Sequence, residues 1–238
     1  MKAVLKRLQP LPIVVHYNHD ARTPKDMDRM ITAIGCRDRV GGITFQGKGA
    51  RLAKFFRVMK GFLPRLESLK LKHEYDHALV LPPTFLRGSA PNLRILQLVS
   101  VLLGSFSRLL SSVTGLIDLS LNLETDFDLS TTMSLLTYLQ GMPSLRRLQL
   151  HFQFRSTTSS ISDPSPLPST KMKTIVALSN LTSFHYFGGG VFFEALIAGL
   201  ATPTLQNSLV VITDYTPTLA SHLSRFINDV EQPLSQFN

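Results

Sequence analysis

The sequence predicts an α/β fold made by repeating one strand–helix unit, and three observations carry that prediction. A spacing of apolar residues, L-x-x-L-x-L, recurs as Leu66, Leu69 and Leu71, as Leu93, Leu96 and Leu98, as Leu116, Leu119 and Leu121, and as Leu145, Leu148 and Leu150. Proline stands just before several of these copies, at Pro64, Pro91 and Pro143. Between the copies lie stretches whose apolar residues follow the helical period near 3.6.

Taken in order, the chain first offers a strand over 12–17, where Ile13, Val15 and Tyr17 alternate. A helix follows over 24–34, with Thr23 as its N-cap and Pro24 in the first turn, where the missing N–H costs nothing. Val40, Ile43 and Phe45 form a degenerate copy of the repeat, and a helix is expected over 51–62. The leucine copies come next, with helices over 106–113 and 130–139, the second capped by Ser130. Leu181, Phe184 and Tyr186 repeat the spacing with aromatics in place of leucine, Gly188–Gly190 reads as a turn, and a helix is expected over 192–200. Leu205, Leu209 and Val211 after Pro203 form a last copy that is one residue too long, and a helix over 217–230 starts at Pro217.

Successive copies from Val40 onward start 26, 27, 23, 29, 36 and 24 residues apart. All but one of these spacings fall within the roughly 20–29 residues of a leucine-rich repeat. The long one contains residues 156–170, almost entirely Ser, Thr, Pro and Asp, which predicts a flexible insertion. In the alternating half of each unit every second side chain shares a face, so the leucines face a core. No single unit buries its leucines alone, and stacking makes the core continuous. The expectation for residues 1–238 is one α/β leucine-rich-repeat solenoid, with parallel strands on the concave face and helices on the convex face. The asparagine that usually follows the run in such repeats is replaced by Glu74, Val101, Glu124 and Gln153, so the backbone ladder that this asparagine supports is expected to be missing and the turns irregular.

Composition agrees with a packed chain, since 44% of residues are apolar and 17% charged. Lys and Arg outnumber Asp and Glu by 25 to 16, and the resulting charge of +9 favours acidic partners. Cys36 is the only cysteine, so no intrachain disulfide forms and a reducing compartment, cytoplasm or nucleus, is expected. The opening residues are broken by Pro10 and Pro12, and no run of roughly 18 uncharged apolar residues follows, so neither a signal peptide nor a membrane span is expected.

The order of several phrases resembles the divergent leucine-rich-repeat region of the F-box-type proteins of basidiomycete fungi. The phrases are Leu11-Pro12-Ile13-Val14-Val15, the strand around Ile43, and Leu81-Pro82-Pro83-Thr84-Phe85 before Pro91-Asn92-Leu93-Arg94. Leu181-Thr182-Ser183-Phe184, Leu205-Gln206-Asn207 and Leu223-Ser224-Arg225-Phe226-Ile227 continue the series over nearly the whole chain. The resemblance implies repeats that recruit a ubiquitination substrate. The F-box itself, which would bind a ubiquitin-ligase adaptor, is not visible, so the adaptor is expected as a partner only if an F-box lies upstream.

Several motifs invite a chemical reading and fail on context. His73-Glu74-Tyr75-Asp76-His77 fits the zinc pattern H-E-x-x-H, but that site needs a helix and this one follows a strand. Gly42-x4-Gly47-Lys48 resembles a phosphate loop, yet Gly49 stands where Ser or Thr should reach magnesium, and the strand falls inside the loop. Asn180-Leu181-Thr182 is a glycosylation pattern centred on a core leucine. With no Ser/His/Asp arrangement and no paired carboxylates, neither catalytic residues, a metal nor a cofactor is expected. The chain reads as a binding protein and not an enzyme.

The binding surface expected is the concave face, built by residues between and beside the leucines. These are Thr44 and Gln46; Ser68, Lys70 and Lys72; Ile95, Gln97 and Val99; Asp118, Ser120 and Asn122; Arg147, Gln149 and His151; and Ser183, His185 and Phe187. Ile95, Val99 and Phe187 serve as apolar anchors for a protein partner. The alternative is anion binding, to nucleic acid or a membrane surface, by a basic amphipathic helix over 48–66 with Lys48, Arg51, Lys54, Arg57, Lys60 and Arg65.

Overall fold

The leucine that leads each copy fixes where its strand begins. A computed structural model describes residues 11–18, 24–74, 79–88, 90–102, 105, 107–124, 129–153 and 175–214. Leu66, Leu93, Leu145, Leu181 and Leu205 each close a tight turn by donating the backbone N–H to the carbonyl three residues back, at 3.1–3.2 Å. The next two N–H groups then share a carbonyl of the preceding unit. Arg94 and Ile95 donate to Glu67, Ile117 and Asp118 to Arg94, Arg146 and Arg147 to Ile117, Thr182 and Ser183 to Arg146, and Gln206 and Asn207 to Thr182, all at 2.8–3.0 Å.

Side chains reinforce the same turns. Asn92 Nδ2 donates to the Pro64 carbonyl at 2.6 Å, Asn180 Nδ2 to the Pro143 carbonyl at 2.8 Å, and Thr204 Oγ1 to the Ser179 carbonyl at 2.8 Å. The donor is each time the residue just before the leading leucine. These side-chain hydrogen bonds stand where the chain enters the strand, not where the asparagine of such repeats would follow it. Where it leaves the strand the described turn is irregular, with Ser100 held at a left-handed φ of 57°.

This repeated lead-in gives an eight-stranded sheet, every neighbouring pair parallel. Its strands are β1 (Ile13–Tyr17), β2 (Val40–Gly47), β3 (Ser68–His73), β4 (Ile95–Val99), β5 (Asp118–Glu124), β6 (Arg147–Gln153), β8 (Ser183–Gly188) and β10 (Asn207–Ile212), in that spatial order. Two short strands, β7 (Val176–Ala177) and β9 (Leu200–Ala201), pair separately. The helices among the described residues are α1 (Pro24–Ile34), α2 (Gly49–Val58), α3 (Ser107–Ser112), α4 (Leu129–Gln140) and α5 (Gly190–Ala198). None is long and apolar enough to cross a membrane. The expected insertion 156–170, the helix 217–230, Thr23 and Phe106 lie outside the described residues.

Register makes the core continuous. Leu69, Leu96, Leu119, Leu148 and Phe184 stand side by side, as do Leu71, Leu98, Leu121, Leu150 and Tyr186, and all are buried. Aromatics take over toward both ends. Tyr17, Phe45 and Phe55 stack at 5.0 and 4.4 Å, and Phe152 meets Phe192 of α5 at 4.1 Å. The glycines at 188–190 are not a free turn: Gly188 ends β8 and Gly190 begins α5.

Two expectations need correction. The helix expected over 51–62 runs over Gly49–Val58 and leaves Phe62 exposed, because the backbone departs from helical geometry at Met59, where ψ is 5°. Leu209 and Val211 are not core residues. Counted from Leu205 the inward positions are Ser208 and Val210, and Val210 aligns with Tyr186. A one-residue shift in parity turns every side chain to the other face.

Two substitutions test this packing. Leu148→Ala, at a fully buried centre of the sheet, should lower unfolding free energy by about 2–5 kcal/mol. Thr132→Val should raise it by about 1 kcal/mol, because Thr132 Oγ1 is buried without a hydrogen-bond partner. Urea denaturation measures both, and a neutral Leu148→Ala would contradict the stated burial.

Candidate functional site

The register that buries the leucines also sorts the opposite face into three rows. The first aligns Val14, Gly42, Ser68, Ile95, Asp118, Arg147, Ser183 and Asn207. The second aligns His16, Thr44, Lys70, Gln97, Ser120, Gln149, His185 and Leu209, and the third Gln46, Lys72, Val99, Asn122, His151, Phe187 and Val211. Every residue expected on the concave surface falls in one of these rows. Most remain half-buried or exposed, because the helices pack against the other side.

Neighbours within a row touch, as directly opposed residues of paired strands do. Arg147 Nε donates to Asp118 Oδ2 at 3.0 Å, an ion pair whose arginine side chain is 58% exposed, so its worth in stability is small. Its larger effect is on binding charge: Arg147 is matched by Asp118, and the cations left are the exposed Lys70 and Lys72. Asn122 lies 3.1 Å from His151 Nδ1, and the His151 ring meets Phe187 edge-on with centroids 4.3 Å apart. Gln149 Nε2 and His185 Nδ1 are 3.5 Å apart, at the limit of a hydrogen bond. Beyond β3, Gln46 donates to Glu74.

Toward β10 the face becomes apolar and concave. A depression of about 310 Å³ is lined by Val99, Asn122, His151, His185, Phe187, Leu209 and Val211, among others. Phe187 is 39% exposed, Leu209 55% and Val211 39%, so three adjacent large apolar side chains face solvent. Leu209, Val211 and His16 extend the surface beyond the residues anticipated. The leading Leu205 carried the signal for the first two, since its spacing to the strand matches that of Leu181. After β10, Asp214 Oδ1 accepts the N–H of Gly190 at 3.0 Å, placing a carboxylate at the positive end of α5. Tyr186 donates to the Gly189 carbonyl at 2.7 Å, and burial, with the charge of Asp214, pushes its pKa upward, which keeps the donor protonated.

The motifs set aside earlier meet ordinary structural roles. His73 is a buried strand residue at the end of β3, not a helical one, and His77 lies outside the described residues. Gly42–Gly47 are all in register with β3 as part of the extended strand β2, so that backbone does not wrap a phosphate. In the basic segment Leu52, Phe55, Phe56 and Met59 are buried in the core, which removes the apolar stripe a membrane would need. Lys54, Arg57, Lys60 and Arg65 are exposed, while Lys48 and Arg51 are half-buried. Arg65 belongs to the turn before β3 and Lys60 follows the helix, so the cations do not share one helix. A second depression, of about 410 Å³, lies between β1 and α1, away from most of the face.

Burial holds the His151 pKa below its ordinary 6.5. The unfolded chain therefore takes up this proton first as pH falls, and stability drops from pH 6.5 down to the lower folded value, with no contribution above 6.5. In urea midpoints measured across this window, His151→Gln should flatten the decline, and an unchanged slope would remove His151 as its source.

No protein-family model matches the chain, and no curated protein is significantly similar to it.

Proposed function

We propose that the chain is a leucine-rich-repeat solenoid, with strands on its concave face and helices on its convex face, and that it works as a protein-interaction module and not as an enzyme. The observation that carries this reading is the open sheet face itself. Its second and third rows end in an exposed cluster of Phe187, Leu209 and Val211, with polar side chains beside it and two cations farther along the face on β3. A few large apolar residues in a depression, ringed by polar ones, suit a protein partner whose affinity rests on a small number of anchors. The family resemblance extends the proposal to recruitment of a ubiquitination substrate in the cytoplasm or nucleus, with a ligase adaptor as a second partner if an F-box lies upstream.

Anion binding is the alternative, favoured by the exposed Lys54, Arg57 and Lys60. Salt separates the two, because contacts to phosphates release counterions and weaken steeply with ionic strength, while apolar contacts do not.

Affinity capture from native lysate, with mass spectrometry of bound proteins and staining for nucleic acid, tests this. Proteins retained at raised salt should be lost with Phe187→Ser/Leu209→Ser/Val211→Ser and kept with Lys54→Glu/Arg57→Glu/Lys60→Glu. Nucleic acid lost only with the second variant would replace this reading with the alternative.

A further inference from the structure

The open face is not uniform across its strands. On β3, Lys70 and Lys72 are exposed two residues apart on the same side, and neither makes an ion pair among the described residues. On β8 and β10, Phe187, Leu209 and Val211 form the apolar depression. Between them the second and third rows carry Gln97, Ser120, Asn122 and Gln149, uncharged side chains that both donate and accept hydrogen bonds. The one full ion pair of this stretch, Asp118 with Arg147, sits in the first row, to one side.

Resting on the protein-binding reading above, we infer that this face takes an extended acidic–apolar peptide, lying across the strands with carboxylates over Lys70 and Lys72 and an apolar anchor in the Phe187–Leu209–Val211 depression. Charge complementarity selects the acidic end, since neither lysine makes an ion pair among the described residues and the nearby Glu74 is held by Gln46. The amide and hydroxyl groups of the middle select an extended ligand. Each has donor or acceptor capacity beyond its contacts within the face that backbone N–H and C=O groups of an extended ligand can meet, whereas a helix keeps its own backbone groups satisfied internally. Four strand spacings separate β3 from β8, roughly 19 Å at about 4.8 Å each, which an extended chain covers in roughly six residues. Nucleic acid fits poorly, because a regular line of phosphates would pass over the uncharged middle and the apolar end.

Fluorescence anisotropy with the full chain and synthetic peptides tests the inference. The probes join two glutamates to a Phe-Leu pair through Gly/Ser/Gln spacers of six or two residues, beside a six-residue version with lysines for glutamates and a single-stranded RNA oligomer. The six-residue glutamate peptide should bind about tenfold more tightly than the two-residue one, which reaches only one end of the face. Lys70→Glu/Lys72→Glu should reverse the preference toward the lysine peptide, a gain that misfolding does not produce. Leu209→Ser/Val211→Ser should weaken both six-residue peptides. Equal binding of the two spacers, equal binding of the two charges, no peptide binding at millimolar concentration, or tighter binding of the RNA each overturns the inference. If lysate partners still depend on Phe187, Leu209 and Val211, the protein-binding reading survives that failure; if they do not, both readings fall.

Discussion

Everything in this fold depends on one recurring hydrogen bond arrangement, in which a single carbonyl of one unit receives two consecutive N–H groups of the next. Glu67, Arg94, Ile117, Arg146 and Thr182 play the accepting part in turn. Parallel strands have no hairpin to fix their offset, so their register has to be set elsewhere. Here the tight turn closed by the leading leucine and the shared carbonyl set it at the start of each strand. Asn92, Asn180 and Thr204 lock the same place with side chains. Once the start is fixed, parity is fixed, and the strand has no freedom to slide without exposing its leucines.

That constraint explains which parts of the molecule could be read from the sequence. The leucine spacing gave away both the core and the open face, since a period of two assigns each residue of a strand to one side or the other. Helices were legible where their apolar stripe was strong, as in α1 and α2. The failures came where local composition hid the geometry. In β10 the run Leu209, Val210, Val211 and Ile212 is apolar at every position, so hydrophobicity alone assigns no face, and only the distance from Leu205 does. The end of α2 was hidden because Phe62 keeps the helical spacing although the helix already ends at Val58. The pairing of β7 with β9 and the match of Arg147 to Asp118 depend on contacts between distant residues.

The candidate site was legible in position but not in character. Among the residues expected on this face, Lys70, Lys72 and Arg147 against Asp118 amount to a mild positive bias on a mostly polar surface. The ion pair with Asp118 concentrates that bias on β3, and the parity of β10 adds Leu209 and Val211 beside Phe187. The face thereby acquires a direction, charged at one end and apolar at the other. A surface with direction distinguishes the two ends of a ligand, which a uniformly polar face cannot do.

The same alternation separates stability from binding at the level of single residues. Lys70 and Lys72 flank Leu71 in sequence, yet Leu71 is buried in the leucine core while the lysines stand in solvent on the opposite face. Changing a lysine removes charge from the ligand side without opening a cavity, whereas changing the leucine removes core volume without altering the face. His151 is the exception, because it is partly buried and touches Phe187 and Asn122 at once. Protonating it adds charge beside the depression, a charge that its burial opposes. The apolar end of the face is therefore coupled to pH through a residue that the lysine end never touches.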